Sequence, residues 1–190
     1  MDVMTAILTR RSEQVLVEPS PGEEEFAYLL RGAAAFPDHG PLDPWRWILL
    51  RGEDRRVLGD CLAGDDGPDG SGPGGNGPGG AAAPLLAALV LAPRGGPRPP
   101  EWEPVSAAGG MVHALILLLH SRGYGSTWRI GRRPHSPATA AALGLGAGER
   151  LLGGLSIGTP AAGAPPRRAL ADVAAQLSVF RAAPAPAPAR

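Results

Sequence analysis

The sequence predicts one mixed α/β or α+β domain, and three features carry that expectation. Segments of strand composition interleave with segments of helical periodicity along most of the chain. One helical segment, Ala107 to about Arg122, is apolar on nearly every side and so belongs in the centre of the protein. At 190 residues and 44% hydrophobic content, the chain suits a single domain with a real core and is too apolar to be disordered.

Val3 to Thr9 reads as an amphipathic helix, apolar at Val3, Met4, Ile7 and Leu8, that runs into Arg10-Arg11-Ser12. The extended piece after it ends at Pro19 and Pro21. Ser20 offers an N-cap for the next helix, with Pro21 at its first position. Glu23, Glu24 and Glu25 fill its first turn, where the helix dipole favours acids, and the helix should reach about Ala35. Phe36 to Pro41 is turn-rich. Trp45 to Leu50 has strand composition, Gly52 breaks it, and a short helix follows from Arg56 to Leu62.

Gly64 to Gly80 is almost wholly Gly, Pro, Asp, Ser and Asn, which cannot bury apolar surface, so a flexible loop is expected there. Leu85 to Leu91 reads as a buried strand between Pro84 and Pro93, and Arg94 to Pro100 as another Pro/Gly loop. Ser106 can cap the long apolar helix, and Gly123 and Gly125 terminate it. Ser126 to Ile130 is short and strand-like. Ser136-Pro137 starts a helix that ends at Gly144, and Leu151 to Ile157 is a strand of small and aliphatic residues. The domain is expected to span 1–182, with a disordered Pro/Ala tail at 183–190.

Composition removes several function classes. The formal net charge is zero, so nothing global favours nucleic acid or an anionic membrane surface. All 18 basic residues are Arg; an anionic cofactor must therefore be held by Arg, backbone N–H or hydroxyls. The single Cys61 excludes an intramolecular disulfide and a cysteine-rich metal site. His39, His113, His120 and His135 lack metal-ligand spacing, so no metal is expected. The most apolar run, Met111 to Leu119, is interrupted by His113 and falls short of the roughly 20 residues of a membrane helix. The N-terminus lacks the apolar stretch of a signal peptide, which makes a cytoplasmic protein the default. Gly72-Pro73-Gly74-Gly75-Asn76-Gly77 matches G-x-G-x-x-G formally, but neither a strand leads into it nor a helix starts directly after it.

A different set of segments carries chemistry. Arg10-Arg11-Ser12 closes the first helix; Pro37-Asp38-His39-Gly40 is followed by Pro44-Trp45-Arg46-Trp47. Trp102-Glu103 precedes the central helix, Gly125-Ser126-Thr127-Trp128-Arg129-Ile130-Gly131 follows it, and Leu155-Ser156-Ile157-Gly158-Thr159-Pro160 closes the series. In this order, over Met1 to Pro160, the blocks resemble those of nitroreductase-family flavoproteins, above all the small YdjA-like members. The resemblance implies an α+β fold with a central mixed, mainly antiparallel sheet flanked by helices, in an obligate homodimer. It implies an FMN enzyme that takes hydride from NADH or NADPH and passes it, ping-pong fashion, to a small-molecule acceptor such as a nitroaromatic or quinone. The flavin then carries the chemistry and no catalytic side chain is assigned.

The family pattern places Arg10, Arg11 and Ser12 on the FMN phosphate and ribityl chain, a role for which charge-assisted donors suit. It places Pro37, Asp38 and His39 near the pyrimidine edge of the flavin, reached from the partner subunit. Trp128, Arg129 and Ile130 match a later FMN-contacting stretch, with Arg129 a second phosphate candidate. Leu118, Leu119, His120, Ser121, Arg122 and Gly123 match where relatives meet the nicotinamide nucleotide. On the residues alone, Arg10 and Arg11 also read as helix-end cations, Trp45 as core, and Trp128 as either core or cofactor contact. The chain departs from the pattern at Gln14, Val15, Ala35 and Asp43, where relatives carry polar or basic groups, and at Gly64 to Gly80, where they carry helix. These departures motivate an alternative of another class, a flavin-binding store or sensor with little turnover.

Overall fold

The computed structural model describes residues 1–35, 45–62, 83–92, 102–130, 136–161 and 172–180. The expected loops at 64–80 and 94–100, the turn-rich segment 36–41 and the tail 183–190 lie outside the described residues.

Five α-helices and five strands are described: α1 (Val3–Thr9), β1 (Leu16–Val17), α2 (Glu23–Ala34), β2 (Trp45–Leu50), α3 (Arg55–Leu62), β3 (Leu85–Leu91), α4 (Trp102–Ser121), β4 (Gly125–Arg129), α5 (Pro137–Ala142) and β5 (Arg150–Pro160), with short 3-10 turns at Gly52–Asp54 and Ala174–Gln176. The sheet runs β1-β5-β3-β2, with β4 also paired to β5. Every strand pairing among these is antiparallel. The parallel component is an isolated bridge between Ser12 and Ser126. This is the α+β architecture expected of the resemblance: an antiparallel sheet between helices.

β3 explains the two layers. It is buried along its whole length, and its side chains alternate between faces. Leu85, Ala87, Leu89 and Leu91 meet Phe26 and Leu29 of α2 and Met111, Leu115 and Leu119 of α4. Leu86 and Ala88 meet Leu58, Cys61 and Leu62 of α3 together with Leu143 beyond α5. A bulge between Leu89 and Val90 inserts one residue on the β5 side of the pairing. It returns Leu151 to the α3 face while Leu155 and Ile157 keep the α4 face.

Glycines on β5 let the neighbouring layers close. A Cβ at Gly154 would lie 2.5 Å from Leu62 Cδ1, so α3 packs directly onto the strand backbone there.

Two expected caps are corrected. Helix α2 begins at Glu23 behind Gly22, not at a Ser20 cap. The Ser20 hydroxyl and N–H both donate to Glu18 Oε2, at 3.1 and 2.7 Å, and its oxygen accepts from Arg51 Nη1 at 2.9 Å. Helix α4 begins at Trp102, ahead of Ser106. Pro104 is compatible with this because first-turn N–H groups have no intrahelical acceptor to lose.

The end of α4 is as the glycines suggest. Gly123 has φ 88°, its N–H reaches His120 O at 3.0 Å, and Tyr124 N–H reaches Leu119 O at 3.0 Å. These are the two bonds of a Schellman C-cap.

At 20 residues, α4 is long and apolar enough to cross a membrane by length and composition, which the run Met111 to Leu119 alone does not suggest. Its stripe of Ala108, Met111, Val112, Leu115, Ile116 and Leu119 is built into the core against α2 and the sheet. Its other side, including Ala114, Leu117 and Leu118, is half-buried, and Gly109 and His113 are exposed.

Candidate functional site: an arginine pair at the α1–β4 junction

Helix α1 starts cleanly, with the Asp2 carboxylate accepting from Thr5 N at 3.0 Å. It ends where Arg10 N–H closes on Ala6 O at 3.0 Å and the Arg10 backbone leaves the helical region. The chain then runs alongside β4. Ser12 bridges Ser126, Glu13 N–H donates to Ser126 O at 3.3 Å, and the Thr127 hydroxyl donates to Glu13 O. Gly125 permits this approach: a Cβ there would sit 2.8 Å from Glu13 Cγ and from Leu16 Cδ2, and 2.9 Å from Pro160 Cγ. The fold thus brings together two segments more than a hundred residues apart, Arg10-Arg11-Ser12 and Ser126-Thr127-Trp128-Arg129.

The electrostatics of this junction are unbalanced. Arg11 is half-buried, and its Nη1 is shielded from solvent with no hydrogen-bond partner among the described residues. Neither Arg10 nor Arg11 has a carboxylate partner among them. A buried donor on a charged group that is left unpaired costs about 1–3 kcal/mol or more, so the position favours an incoming anion. The chain has no lysine, so a guanidinium is the charged donor it can offer, and that group suits phosphate oxygens geometrically.

The remaining candidates fall into distinct places. Trp128 is half-buried against the core, its indole over β5: a Cβ at Gly153 would meet Trp128 Cζ2 at 2.5 Å. Arg129 is half-buried, while Ile130 is 68% exposed. Leu118 packs on α2, its Cδ1 3.2 Å from where a Gly32 Cβ would stand, and Leu119 is fully buried in the core. His120 is half-buried with Nε2 2.9 Å from Thr9 Oγ1. Ser121 is exposed and donates to Leu118 O, and Arg122 lies 5.6 Å over the Tyr28 ring. Gly123 forms the C-cap. Pro37, Asp38 and His39 lie outside the described residues. Of the departures, Gln14 and Val15 point to solvent and Ala35 is exposed at the end of α2.

Two contacts carry no local sequence signal. Arg46, in the Pro-Trp-Arg-Trp block, makes a bidentate pair with Glu149, Nε and Nη2 each 2.7 Å from a carboxylate oxygen. Gly146 N–H adds a third bond to Glu149 at 2.8 Å. Together, the Arg46 bond first and the Gly146 bond second, they hold the Glu149 carboxyl at a pKa of about 2, and the same pair raises Arg46. The second is Thr9 to His120, 111 residues apart. Among the described residues, no group of three His, Cys, Asp or Glu side chains is placed to hold a metal ion.

Comparison with known proteins identifies the family. The sequence model of the Nitroreductase family matches residues 7–159. YdjA of Escherichia coli strain K12, named as a candidate NAD(P)H nitroreductase, is 32% identical over 163 residues, covering 84% of this chain and 89% of its own length. Among solved structures, a nitroreductase-like family protein from Bacillus cereus superposes with a TM-score of 0.77 at 23% identity, over 96% of this chain and 97% of that one. A candidate nitroreductase from Desulfovibrio desulfuricans, solved in complex with FMN, superposes with a TM-score of 0.67 at 22% identity, over 97% and 99%. The chain belongs to the nitroreductase family of oxidoreductases.

Proposed function

We propose that this chain is an FMN-dependent reductase that takes hydride from NADH or NADPH, acts on an oxidised small molecule such as a nitroaromatic or quinone, and works as a homodimer. The observation that carries the reading is the buried Arg11 Nη1 at the α1–β4 junction, which has no hydrogen-bond partner among the described residues. The FMN held by the Desulfovibrio desulfuricans protein and the NAD(P)H in the name of the Escherichia coli relative support it.

Bound FMN would supply the redox chemistry, accepting hydride from the nicotinamide and passing two electrons to the acceptor in a ping-pong cycle. The chain's own residues bind and orient. Arg11 gives the phosphate a charged donor already free of water, Arg10 adds charge beside it, and the Ser12 hydroxyl and Arg129 stand on the same junction. Trp128 braces that junction against β5 through Gly153. Pro37, Asp38 and His39 are assigned to the pyrimidine edge, contributed by the partner subunit. Leu119 lies in the core and Leu118 and His120 are half-buried, so the exposed surface offered to a nicotinamide nucleotide at the end of α4 is that of Ser121, Arg122 and Gly123.

The homodimer has its own support. On α1, Val3, Met4, Ile7 and Leu8 are 69, 63, 45 and 42% exposed, an apolar face with only Ala6 turned inward. The half-buried side of α4 adds to it. A second copy would remove this surface from water. No nucleic acid or membrane partner is assigned, and the reaction is placed in the cytoplasm, where NADH and NADPH are held.

Steady-state kinetics test the cycle: parallel double-reciprocal lines are expected, and intersecting lines would remove the ping-pong scheme. Light scattering tests the assembly: a stable FMN-loaded monomer would remove the dimer.

A further inference from the structure

Helix α1 leads directly into the two arginines yet is held loosely. Its one buried residue is Ala6. Among the described residues, the one side-chain hydrogen bond from α1 to another element is that between Thr9 and His120. The Thr9 hydroxyl lies 2.6 Å from Thr5 O, and a carbonyl oxygen cannot donate, so the single hydroxyl proton points there. Thr9 Oγ1 therefore accepts from His120 Nε2–H at 2.9 Å, which fixes the imidazole with Nε2 protonated. His120 stands on firm ground: its own carbonyl accepts from Gly123 N–H in the C-cap, and Leu119 beside it is fully buried.

We propose that His120 is a positioning residue for the flavin phosphate, fixing through Thr9 the last turn of α1 and with it Arg10 and Arg11. This rests on the reading that the Arg11 junction takes the FMN phosphate. It moves His120 from the nicotinamide group, to which the family pattern assigns it, to the opposite end of the flavin. The Nε2–H that would face a nucleotide is already committed to Thr9.

The test is FMN titration of full-length apo-protein by flavin fluorescence, with KM for NADH and NADPH measured beside it. His120→Ala and Thr9→Val are each expected to weaken FMN by about 5-fold, the loss of one ordinary hydrogen bond. The double variant should weaken it no further, because both changes delete the same contact. His120→Gln, whose amide Nε2 can take the place of the ring donor, should return affinity to within about 2-fold of wild type. The nicotinamide KM should stay level throughout. Additive losses, or an unchanged FMN affinity with a raised nicotinamide KM in His120→Ala, would overturn the proposal. Thr9→Val, on an exposed helix, serves if His120→Ala does not fold. Wild-type protein that takes up no FMN, or Arg11→Ala with unchanged FMN affinity, would overturn the phosphate-site reading beneath it instead.

Discussion

Substituting Gly153 by alanine should damage the protein out of proportion to one methyl group. The added Cβ would stand 2.5 Å from Trp128 Cζ2, 2.6 Å from the Arg129 carbonyl oxygen and 2.7 Å from Trp128 Cη2. Ordinary contact begins at 3.4 Å, so each approach is roughly 0.7–0.9 Å too close. The carbonyl is backbone of β4, and Arg129 is in register with Gly154, so it cannot retreat without opening the β4–β5 ladder. Trp128 cannot simply rotate away, because it packs against the core formed by α2, α4 and the sheet. Overpacking of this kind costs about 1–3 kcal/mol, and the rigid partner argues for the upper end. For a chain of this size that is a fall in Tm of roughly 5–10 °C at fixed protein and FMN concentration. Urea unfolding should show a lower midpoint with unchanged slope. As a control, alanine at Gly146 meets nothing closer than 3.6 Å and should change the unfolding free energy by less than about 0.5 kcal/mol. A Gly153→Ala protein as stable as wild type would refute the packing of Trp128 on β5.

Arg11→Ala should weaken FMN by about 10- to 100-fold, the value of a charge-assisted contact, read by flavin fluorescence on the apo-protein. Glu149 gives a pH signature: its pKa is about 2 in the fold, against 4.5 ordinarily, so its contribution is full above about pH 4.5 and is lost as pH falls toward 2. Arg46 is 40% exposed, so after screening that contribution is about 1 kcal/mol, and Glu149→Gln should lower stability at neutral pH and flatten the acid limb between pH 4.5 and 2 in urea titrations. Tyr124→Phe removes the 2.8 Å bond from the phenol to Glu25 that ties the end of α4 to α2, and should cost about 0.5–1.5 kcal/mol in the same titration. The same bond raises the Tyr124 phenol, so its ionisation in an alkaline absorbance titration should come later than that of an unpaired tyrosine.

Much of the fold was legible because strong local patterns decide it. The strands Trp45–Leu50 and Leu85–Leu91 follow from apolar runs bounded by Gly and Pro, and the end of α4 follows from Gly123. Helix starts were less legible. Ser20 reads as a cap but is held by Glu18 and Arg51, and Ser106 lies inside a helix that starts four residues earlier, at Trp102. The Arg10-Arg11-Ser12 and Trp128-Arg129 segments were legible as a resemblance, whereas their adjacency depends on Gly125, whose steric role shows only when Glu13, Leu16 and Pro160 are placed around it. Arg46–Glu149 and Thr9–His120 join residues over a hundred positions apart, so no periodicity or spacing announces them. Helix α4 was expected to be buried all round; in the single chain it is buried along one stripe, and the homodimer proposed here would cover the rest.

As proposed, this chain binds FMN and reduces it with a nicotinamide nucleotide. The most direct test is the visible absorption spectrum of the purified protein, supplemented with FMN and then exposed anaerobically to NADH or NADPH. Oxidised-flavin bands should bleach with at least one of the two and return when a nitroaromatic or quinone is added. Flavin bands that persist with both would contradict the proposal and leave a flavin-binding protein without nicotinamide-driven turnover.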